Sequence, residues 1–505
     1  LNSDEIKFYP KKFDNTFRNW MENIHDWNIS RQLYWGHQIP VYYYGKGEKD
    51  YVVADNVDSA LVLVREKTGD NKITKDDLIQ DADVLDTWFS SWLWPISVFD
   101  GINNPNNDEI KYYYPTNDLV TGPDIIFFWV SRMIMAGYEL RDEKPFKNVY
   151  FTGIVRDNKR RKMSKSLGNS PDALKLIDDY GADGVRVGLM LSSAAGNDLL
   201  FDVNLCDQGK SFSNKIWNSY KLVSGWEISN NEQPDYCSNV INWYNHKFNY
   251  VLNQINDHFS KFRISDALMS TYKLIWDDFC SVLLEIIKPE YGKPIDSKTH
   301  REIIKIFENN LLILHPFMPF ISEEIWHLIA KRDSEEAIVI SKWPKFKNDI
   351  NNEIINDFET IQNIISGIRN LRKKHQISFR ESLNLSVVNN DNFPEKYDSI
   401  ISKLCNISII EYNESEIQNA LTFRVKSNIY SIPFEKDINV DEEIIKIKED
   451  LEYQKGFLKS VNAKLENKRF TENAPEMVIQ NEIKKKDDAM SKISVLTARL
   501  DKLEN

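Results

Sequence analysis

The chain has 505 residues, 76 acidic against 64 basic side chains and a net charge of −12, with 42% hydrophobic and 12% aromatic content. That length exceeds what one hydrophobic core serves, so three or four domains are expected. No apolar run reaches the roughly 18 residues of a membrane span, and the acidic balance excludes indiscriminate nucleic-acid binding while leaving room for a local basic surface. Cys206, Cys237, Cys280 and Cys405 form no C-x-x-C pair, so neither a zinc knuckle nor a disulfide framework is expected, and a cytoplasmic location fits.

The chain opens "LNSDEIKFYPKKF" without an initiator Met, and it is expected to be part of a longer protein. Residues 1–205 alternate short apolar runs such as "YVVAD" and "VYFTGIV" with helix-like segments such as "DIIFFWVSRMIMAGYEL", the pattern of an α/β domain. Across 206–350 the period turns helical: "SFSNKIWNSYKLVSGW", "YKLIWDDFCSVLLEIIKP" and "IIKIFENNLLILHP" carry apolar residues three and four apart, which predicts a helical bundle. "LLILHPFMPFISEEIW", broken by His315, Pro316 and Pro319, reads as a buried helix followed by a turn. Residues 351–439 predict a helix over 352–375 with a basic end, then an α+β unit containing "LNLSVV", "ISIIEY" and "TFRVKSNIYSIPF". In 440–505, Ile444, Ile447, Leu451, Leu458, Val461 and Leu465, then Ile493, Leu496, Leu500 and Leu503, keep heptad spacing on either side of a break holding Asn473 and Pro475. Two helices folding back as an antiparallel coiled coil are predicted.

The densest chemistry is "KRRKMSKSLGNS", Lys159 to Ser170. A β-like run, "KNVYFTGIV", precedes it, and "SPDALKLIDDYG" follows, with Ser170 read as N-cap, Pro171 at N1, an apolar face of Ala173, Leu174 and Ile177, and Gly181 as the stop. In an open parallel sheet, ligands bind beyond the carboxyl ends of the strands, where helix N-termini favour anions. Lys162 and Lys165 can there present ammonium groups to a polyphosphate, Ser164 and Ser166 can donate hydrogen bonds, and Gly168 lets the chain turn. A solvated lysine-rich surface loop is the competing reading.

"KMSKS", Lys162 to Ser166, resembles the signature loop of the class I aminoacyl-tRNA synthetases, and "YGADGVR" is close to its usual continuation. "DWNISRQLYWGHQIP", "DVLDTWFSSWLWP", "TGPDIIFFWVSRMIMAG", "IWDDFCSVLLEIIKP" and "ENKRFTENAPEMVIQNE" resemble the valyl-tRNA synthetase family in that order, over nearly the whole chain. The resemblance implies the second half of a Rossmann-like catalytic domain (1–205), a helical anticodon-binding domain (206–350), its α+β extension (351–439) and a coiled-coil tRNA-binding arm (440–505). It also implies the reaction: valine attacks the α-phosphate of ATP, giving valyl-adenylate and pyrophosphate, and the acyl group then passes to the terminal adenosine of tRNA.

Carried over residue by residue, Lys162 and Lys165 match the catalytic lysines that hold the leaving phosphates, with Met163, Ser164, Ser166 and Gly153 completing the ATP site. Asp124 matches the carboxylate that receives the amino acid's ammonium. Ile125 and Trp129 match residues lining the valine pocket, and Trp88 its facing wall; a helix start and ordinary core aromatics are the competing reading of these four. Arg369, Arg372, Lys373 and Lys374, with Arg380, form a basic cluster suited to tRNA phosphates, or equally a solvated helix face. The partners implied are valine tRNA, ATP with Mg2+ and L-valine, with no protein-bound metal, no membrane and a monomeric state.

Where Arg160 stands relatives place a glycine, so the turn there is expected at Asn158 or through a different bend. The family's H-x-G-H signature does not occur; His37 in "YWGHQIP" lies in another block and reads as a structural histidine. The family's editing insertion precedes the block that residues 1–40 resemble, so no editing domain is expected. The alternative is a non-catalytic, tRNA-binding accessory protein. The first reading predicts that this chain alone forms no valyl-adenylate; valine-dependent exchange between ATP and pyrophosphate, catalysed by the isolated 505-residue chain, would overturn it.

Overall fold

Phe146–Phe151 is the middle strand of a three-stranded parallel sheet, with Lys7–Tyr9 on one side and Thr116–Thr121 on the other. Phe8, Phe146, Val149 and Phe151 of these strands pack into one core with Ile6, Ile126, Val130 and Met133. Helical segments cover a parallel sheet in this way. This computed structural model describes residues 5–157, 159–164, 166–192, 197–388, 395–418, 420–433, 440–467 and 476–504. The chain divides into two compact units, Leu1–Ile365 with Pro394–Leu404, and Ser366–Phe393 with Cys405–Asn505.

In the first unit the crossover between Thr116–Thr121 and Phe146–Phe151 runs through a π-helical segment, Ile126–Ser131, that continues as the helix Arg132–Arg141. Ahead of it, Val41–Tyr43 pairs antiparallel with Tyr51–Val53 and Ile79–Gln80, and the helix Val57–Thr68 packs Ala60 and Val64 onto Tyr42 and Val52. "YVVAD" is therefore a strand of this small sheet rather than of the parallel one.

The predicted bundle is present as the helices Val203–Ser224, Asp235–Ser260, Ile264–Lys273, Ser297–Leu314 and Pro319–Ile329. "LLILHPFMPFISEEIW" ends one helix at Leu314 and starts the next with Pro319 at its first position, where a missing N–H costs nothing. Among the described residues no helix is long and apolar enough to cross a membrane.

The "YGADGVR" stretch joins the α/β part to the bundle. From the helix Ala182–Ser192, buried Asp183 accepts hydrogen bonds from the backbone N–H of Phe320 (3.3 Å) and Ile321 (2.8 Å), capping Pro319–Ile329 from a distance in sequence. Arg186, one turn on, donates to the carbonyls of Phe317 (3.1 Å) and Pro316 (3.0 Å). Burial raises the Asp183 carboxyl above its ordinary value, against the lowering effect of the two N–H donors. The same helix lies against Val203–Ser224 at glycine distance: a Cβ on Gly209 would stand 2.5 Å from the Gly184 carbonyl oxygen.

The second unit holds a four-stranded sheet in the order Ile407–Asn413, Leu383–Val388, Asn428–Pro433, Ala420–Val425; the first pair is parallel and the others antiparallel. "LNLSVV", "ISIIEY" and both halves of "TFRVKSNIYSIPF" are its strands. The helices Val440–Glu466 and Glu476–Glu504 pack on one another, burying Ile447, Leu451, Val461 and Ala489. Buried Glu482 pairs with Lys464 (2.9 Å) and Lys485 (2.8 Å). Asn473 and Pro475 of the predicted break lie outside the described residues.

The predicted helix over 352–375 is present as Asn352–Lys374, but its basic end is not a uniform cationic face. Arg369, Lys373 and Lys374 are exposed, whereas Arg372 is buried. Its guanidinium donates to the carbonyls of Ser378 (2.8 Å), Glu381 (2.9 Å), Cys405 (2.8 Å) and Asn406 (3.2 Å). This corrects the reading of Arg372 as a phosphate contact: one guanidinium gathers four carbonyls of the surrounding turns, and it cannot reach solvent without abandoning them. Replacing Arg372 with Met removes four hydrogen bonds at a buried position and should cost about 3 kcal/mol, while Lys373→Ala should stay within about 0.5 kcal/mol; urea unfolding of the two variants checks the contrast.

Candidate functional site

Two connections leave the sheet at the carboxyl ends of adjacent parallel strands. After Thr116–Thr121 comes Gly122, then a single 3-10 turn, Pro123–Ile125, carrying Asp124. After Phe146–Phe151 the chain passes Gly153 into a short strand, Val155–Arg156, which pairs in parallel with Leu199–Leu200. A Cβ on Gly153 would stand 2.0 Å from the Asn197 carbonyl oxygen, so no larger residue fits while that backbone stays where it is. The cationic loop follows directly.

Asp157 and Asn169 hold this loop. Asp157, buried at 7% exposure, accepts hydrogen bonds from the backbone N–H of Lys159 (3.0 Å) and Arg161 (2.9 Å), from the Arg161 guanidinium (2.8 Å) and from Asn169 Nδ2 (3.0 Å). Asn169 spans the loop: its Nδ2 also reaches the Lys162 carbonyl (3.3 Å), and its Oδ1 accepts from Ser164 N–H (3.0 Å). The bond from Asn169, with those from Arg161, holds the Asp157 carboxyl well below the usual carboxylate range. Met163 N–H bonds to the Val155 carbonyl (3.0 Å), and Ser164 Oγ lies 3.2 Å from Ser166 Oγ. Lys165 lies outside the described residues.

Two local expectations are corrected. Arg160 itself takes the left-handed conformation, φ +61°, closing the turn with its N–H on the Asp157 carbonyl (2.8 Å), so neither Asn158 nor a different bend is needed to explain the missing glycine. The bonds that Asp157 accepts offset the strain of a non-glycine residue there. The next helix, Ala173–Tyr180, is capped by Asp172, whose carboxylate accepts from Leu174 N–H (2.9 Å), and not by Ser170. Leu174 and Ile177, of the apolar face read from the sequence, are exposed. Gly168 (φ +61°) and Gly181 (φ +77°) do turn the chain where the sequence places them.

Lys162 and Asp124, 38 residues apart, meet across the two connections: Lys162 Nζ donates to Asp124 Oδ2 at 3.2 Å. Both are substantially open to solvent, with 62% and 50% of their side chains exposed. The helix Thr87–Ser91 carries Trp88, whose ring stacks on Phe128 at 6.0 Å. Trp129 is partly buried against the sheet core and donates its indole N–H to the Ser91 carbonyl (3.0 Å), tying that helix to the π-helical segment. Ile125 is half-buried where the 3-10 turn meets this segment. Exposed His37 places Nδ1 3.2 Å from Ser90 Oγ on the same short helix.

Behind Trp88 lies a cluster that periodicity could not reveal. Buried Asp86 caps Thr87–Ser91 through Trp88 N–H (3.2 Å), and accepts from Trp27 Nε1 (2.9 Å) and the Arg31 guanidinium (2.7 Å). The Arg132 guanidinium, also buried, lies 3.5 Å from the Trp27 ring centroid and 3.9 Å from Asp86. The available signal was an Asp immediately before a short aromatic segment, a helix-cap pattern; its charged partners come from distant positions.

Residues 1–202 match the family model of the tRNA synthetases class I (I, L, M and V), residues 242–388 the anticodon-binding domain of tRNA ligase, and residues 439–504 the valyl tRNA synthetase tRNA binding arm. The chain is 59% identical over 501 residues to a valine–tRNA ligase of Christiangramia forsetii, covering 99% of this chain and 57% of that one. The chain belongs to the class I tRNA synthetases, in the valyl family. A second valyl relative, from Phocaeicola vulgatus, is 53% identical over 496 residues, covering 98% of this chain and 56% of that one; a third, from Chlorobaculum tepidum, is 36% identical over 531 residues, covering 100% and 57%. The chain thus spans about half the length of the curated relatives it matches.

Within this valyl-family chain the loop's order depends on Asp157 remaining ionised. A carboxyl held below its ordinary value contributes stability above that value and loses it as pH falls through the lowered one. Amide hydrogen exchange at Ser164 and Arg161 should therefore stay slow from neutral pH down through the ordinary carboxylate range. Asn169→Ala should speed exchange at Ser164 about tenfold at pH 7, through loss of its acceptor.

Proposed function

We propose that the protein to which this chain belongs is a valine–tRNA ligase, and that residues 1–205 supply the half of its catalytic domain that grips the ATP phosphates and receives valine. The observation that carries this reading is the meeting of Lys162 and Asp124 at the carboxyl edge of a parallel sheet, where α/β folds bind ligands. A cation and a carboxylate there suit the two charged ends of the reaction.

On this reading, Asp124 receives the valine ammonium, while Trp88, Ile125 and Trp129 present apolar surface to the isopropyl group. Lys162 and Lys165, with Met163, Ser164, Ser166 and Gly153, hold ATP, and the ammonium groups stabilise charge as it builds on the leaving pyrophosphate. Valine's carboxylate oxygen forms a bond to the α-phosphorus as the bond from that phosphorus to the bridging oxygen breaks, and pyrophosphate leaves with the electron pair. Among the described residues no three His, Cys, Asp or Glu side chains are grouped to hold a metal; Mg2+ arrives with the phosphates of ATP and supplies further charge neutralisation there.

Residues 206–350 and 351–439 bind the anticodon end of valine tRNA, and 440–505 reach its outer corner as an antiparallel coiled coil. Exposed Arg369, Lys373 and Lys374 are candidate phosphate contacts there. The protein acts in the cytoplasm as a monomer. Non-catalytic tRNA binding, the second reading, predicts no charging at all by the full-length gene product.

The test is aminoacylation of valine tRNA by that full-length product. Lys165→Ala should lower the rate of valyl-adenylate formation roughly a hundredfold, about 3 kcal/mol of transition-state stabilisation by analogy with removing one oxyanion-hole donor. A variant as active as its parent would remove the loop from the mechanism.

A further inference from the structure

The Lys162–Asp124 pair has a chemical property that the two separate roles do not use. Each partner is assigned to a different substrate, Asp124 to the ammonium of valine and Lys162 to the phosphates of ATP, yet here they neutralise each other at 3.2 Å. Resting on that assignment, we propose that Lys162 fills the ammonium subsite of the ligand-free site, and that an incoming amino acid displaces it from Asp124 and so releases it toward ATP.

The local backbone favours a side-chain exchange over a loop rearrangement. Lys162 is pinned on both sides: it forms a β-bridge with Arg156, and its carbonyl accepts from Asn169 Nδ2. Its four-carbon stem is then the part that moves. Asp124 is set in place by Gly122, where a Cβ would stand 2.5 Å from Asp124 Oδ1; lacking one, the chain lets that oxygen fold back over its own backbone while Oδ2 meets Lys162.

The exchange replaces like with like. A primary ammonium leaves Oδ2 and another takes its place, so charge and hydrogen-bonding capacity at Asp124 are unchanged. The pair is also poised to exchange, because at 62% and 50% side-chain exposure it adds only a few-fold to any equilibrium. What changes is the loop. With Lys162 tied to Asp124, one of its cationic groups is already compensated; once released, that group is free to face phosphate. Binding of the amino acid must then strengthen ATP binding, and ATP must strengthen amino-acid binding by the same factor.

The compounds that trigger the release are those combining a primary ammonium with a branched aliphatic side chain; a carboxylate is not required. MgATP binding to the full-length protein to which this chain belongs, measured by calorimetry at fixed ionic strength, separates the cases. L-valinol, which keeps the ammonium, should tighten MgATP binding about threefold, and 3-methylbutanoate, which keeps the isopropyl group and lacks the ammonium, should not. Asp124→Asn should bind MgATP about threefold more tightly with no amine present and should be indifferent to valinol. In a Lys162→Ala background, Asp124→Asn should bring no gain; an equal gain there would mean that the carboxylate acts on phosphate directly, and would overturn the exchange. Unchanged MgATP affinity on adding valinol, in a wild-type chain whose Lys162→Ala variant binds MgATP more weakly, would overturn the exchange while leaving the phosphate role intact. If Lys162→Ala matched wild type, or if no MgATP bound, the phosphate role of the loop would fall and the exchange with it. Both side chains are open to solvent, so neither substitution disturbs a packed core.

Discussion

Parallel pairing of Phe146–Phe151 with Thr116–Thr121 is the constraint on which the site depends. Parallel neighbours start and finish at the same edges of a sheet, so the connection after each strand emerges on one side. Asp124 follows one of these strands and the cationic loop follows the other, and they meet although 38 residues separate Asp124 from Lys162. Had the two strands run antiparallel, the same residues would stand at opposite ends of the sheet. The core of Phe8, Val149, Phe151, Val130 and Met133 keeps the strands in register, so burial of apolar side chains fixes the relative position of two charges.

Around that edge the chain surrounds exposed functional groups with buried polar ones. Asp157 and Asn169 shape the loop from which exposed Lys162 extends; Asp86, Trp27 and Arg132 back the helix that carries Trp88. In both places a carboxylate is shielded from water and given several donors, which makes its geometry costly to change. The exposed Lys162–Asp124 pair has no such shielding, and this contrast separates groups that hold position from groups that are free to exchange. Asp183 extends the buried pattern into the helical part of the same unit, bonding to the start of Pro319–Ile329, while exposed Arg186 bonds to the turn before it.

Much of this was legible along the chain. The heptads of 440–505 and the three-four spacing across the bundle are local periodicities, and each did become helix. "LNLSVV", "ISIIEY" and "TFRVKSNIYSIPF" carry β-branched side chains where the strands are found. The cationic loop was legible too, since charge, hydroxyls and a following helix lie within two dozen residues. Arg372 shows where such reading stops: it is indistinguishable in sequence from Arg369 and Lys373, and burial beneath the carbonyls of Cys405 and Asn406 separates it from them. Arg160 shows the same limit, because a composition rule for turns does not foresee a neighbouring Asp157 that stabilises a left-handed arginine.

The sequence by itself determined the element types, the apolar faces, the family motifs and the identity of the groups able to meet anions and ammonium ions, since all of these depend on side-chain chemistry and short spacings. Tertiary structure alone decided which charges meet. Pairing Lys162 with Asp124, gathering Trp27, Arg31 and Arg132 about Asp86, and withdrawing Arg372 from solvent each join residues whose separation along the chain carries no periodic signal. Coulombic and hydrogen-bond energies depend on distance in space and on the exclusion of water, and both are set by how the sheet and helices pack.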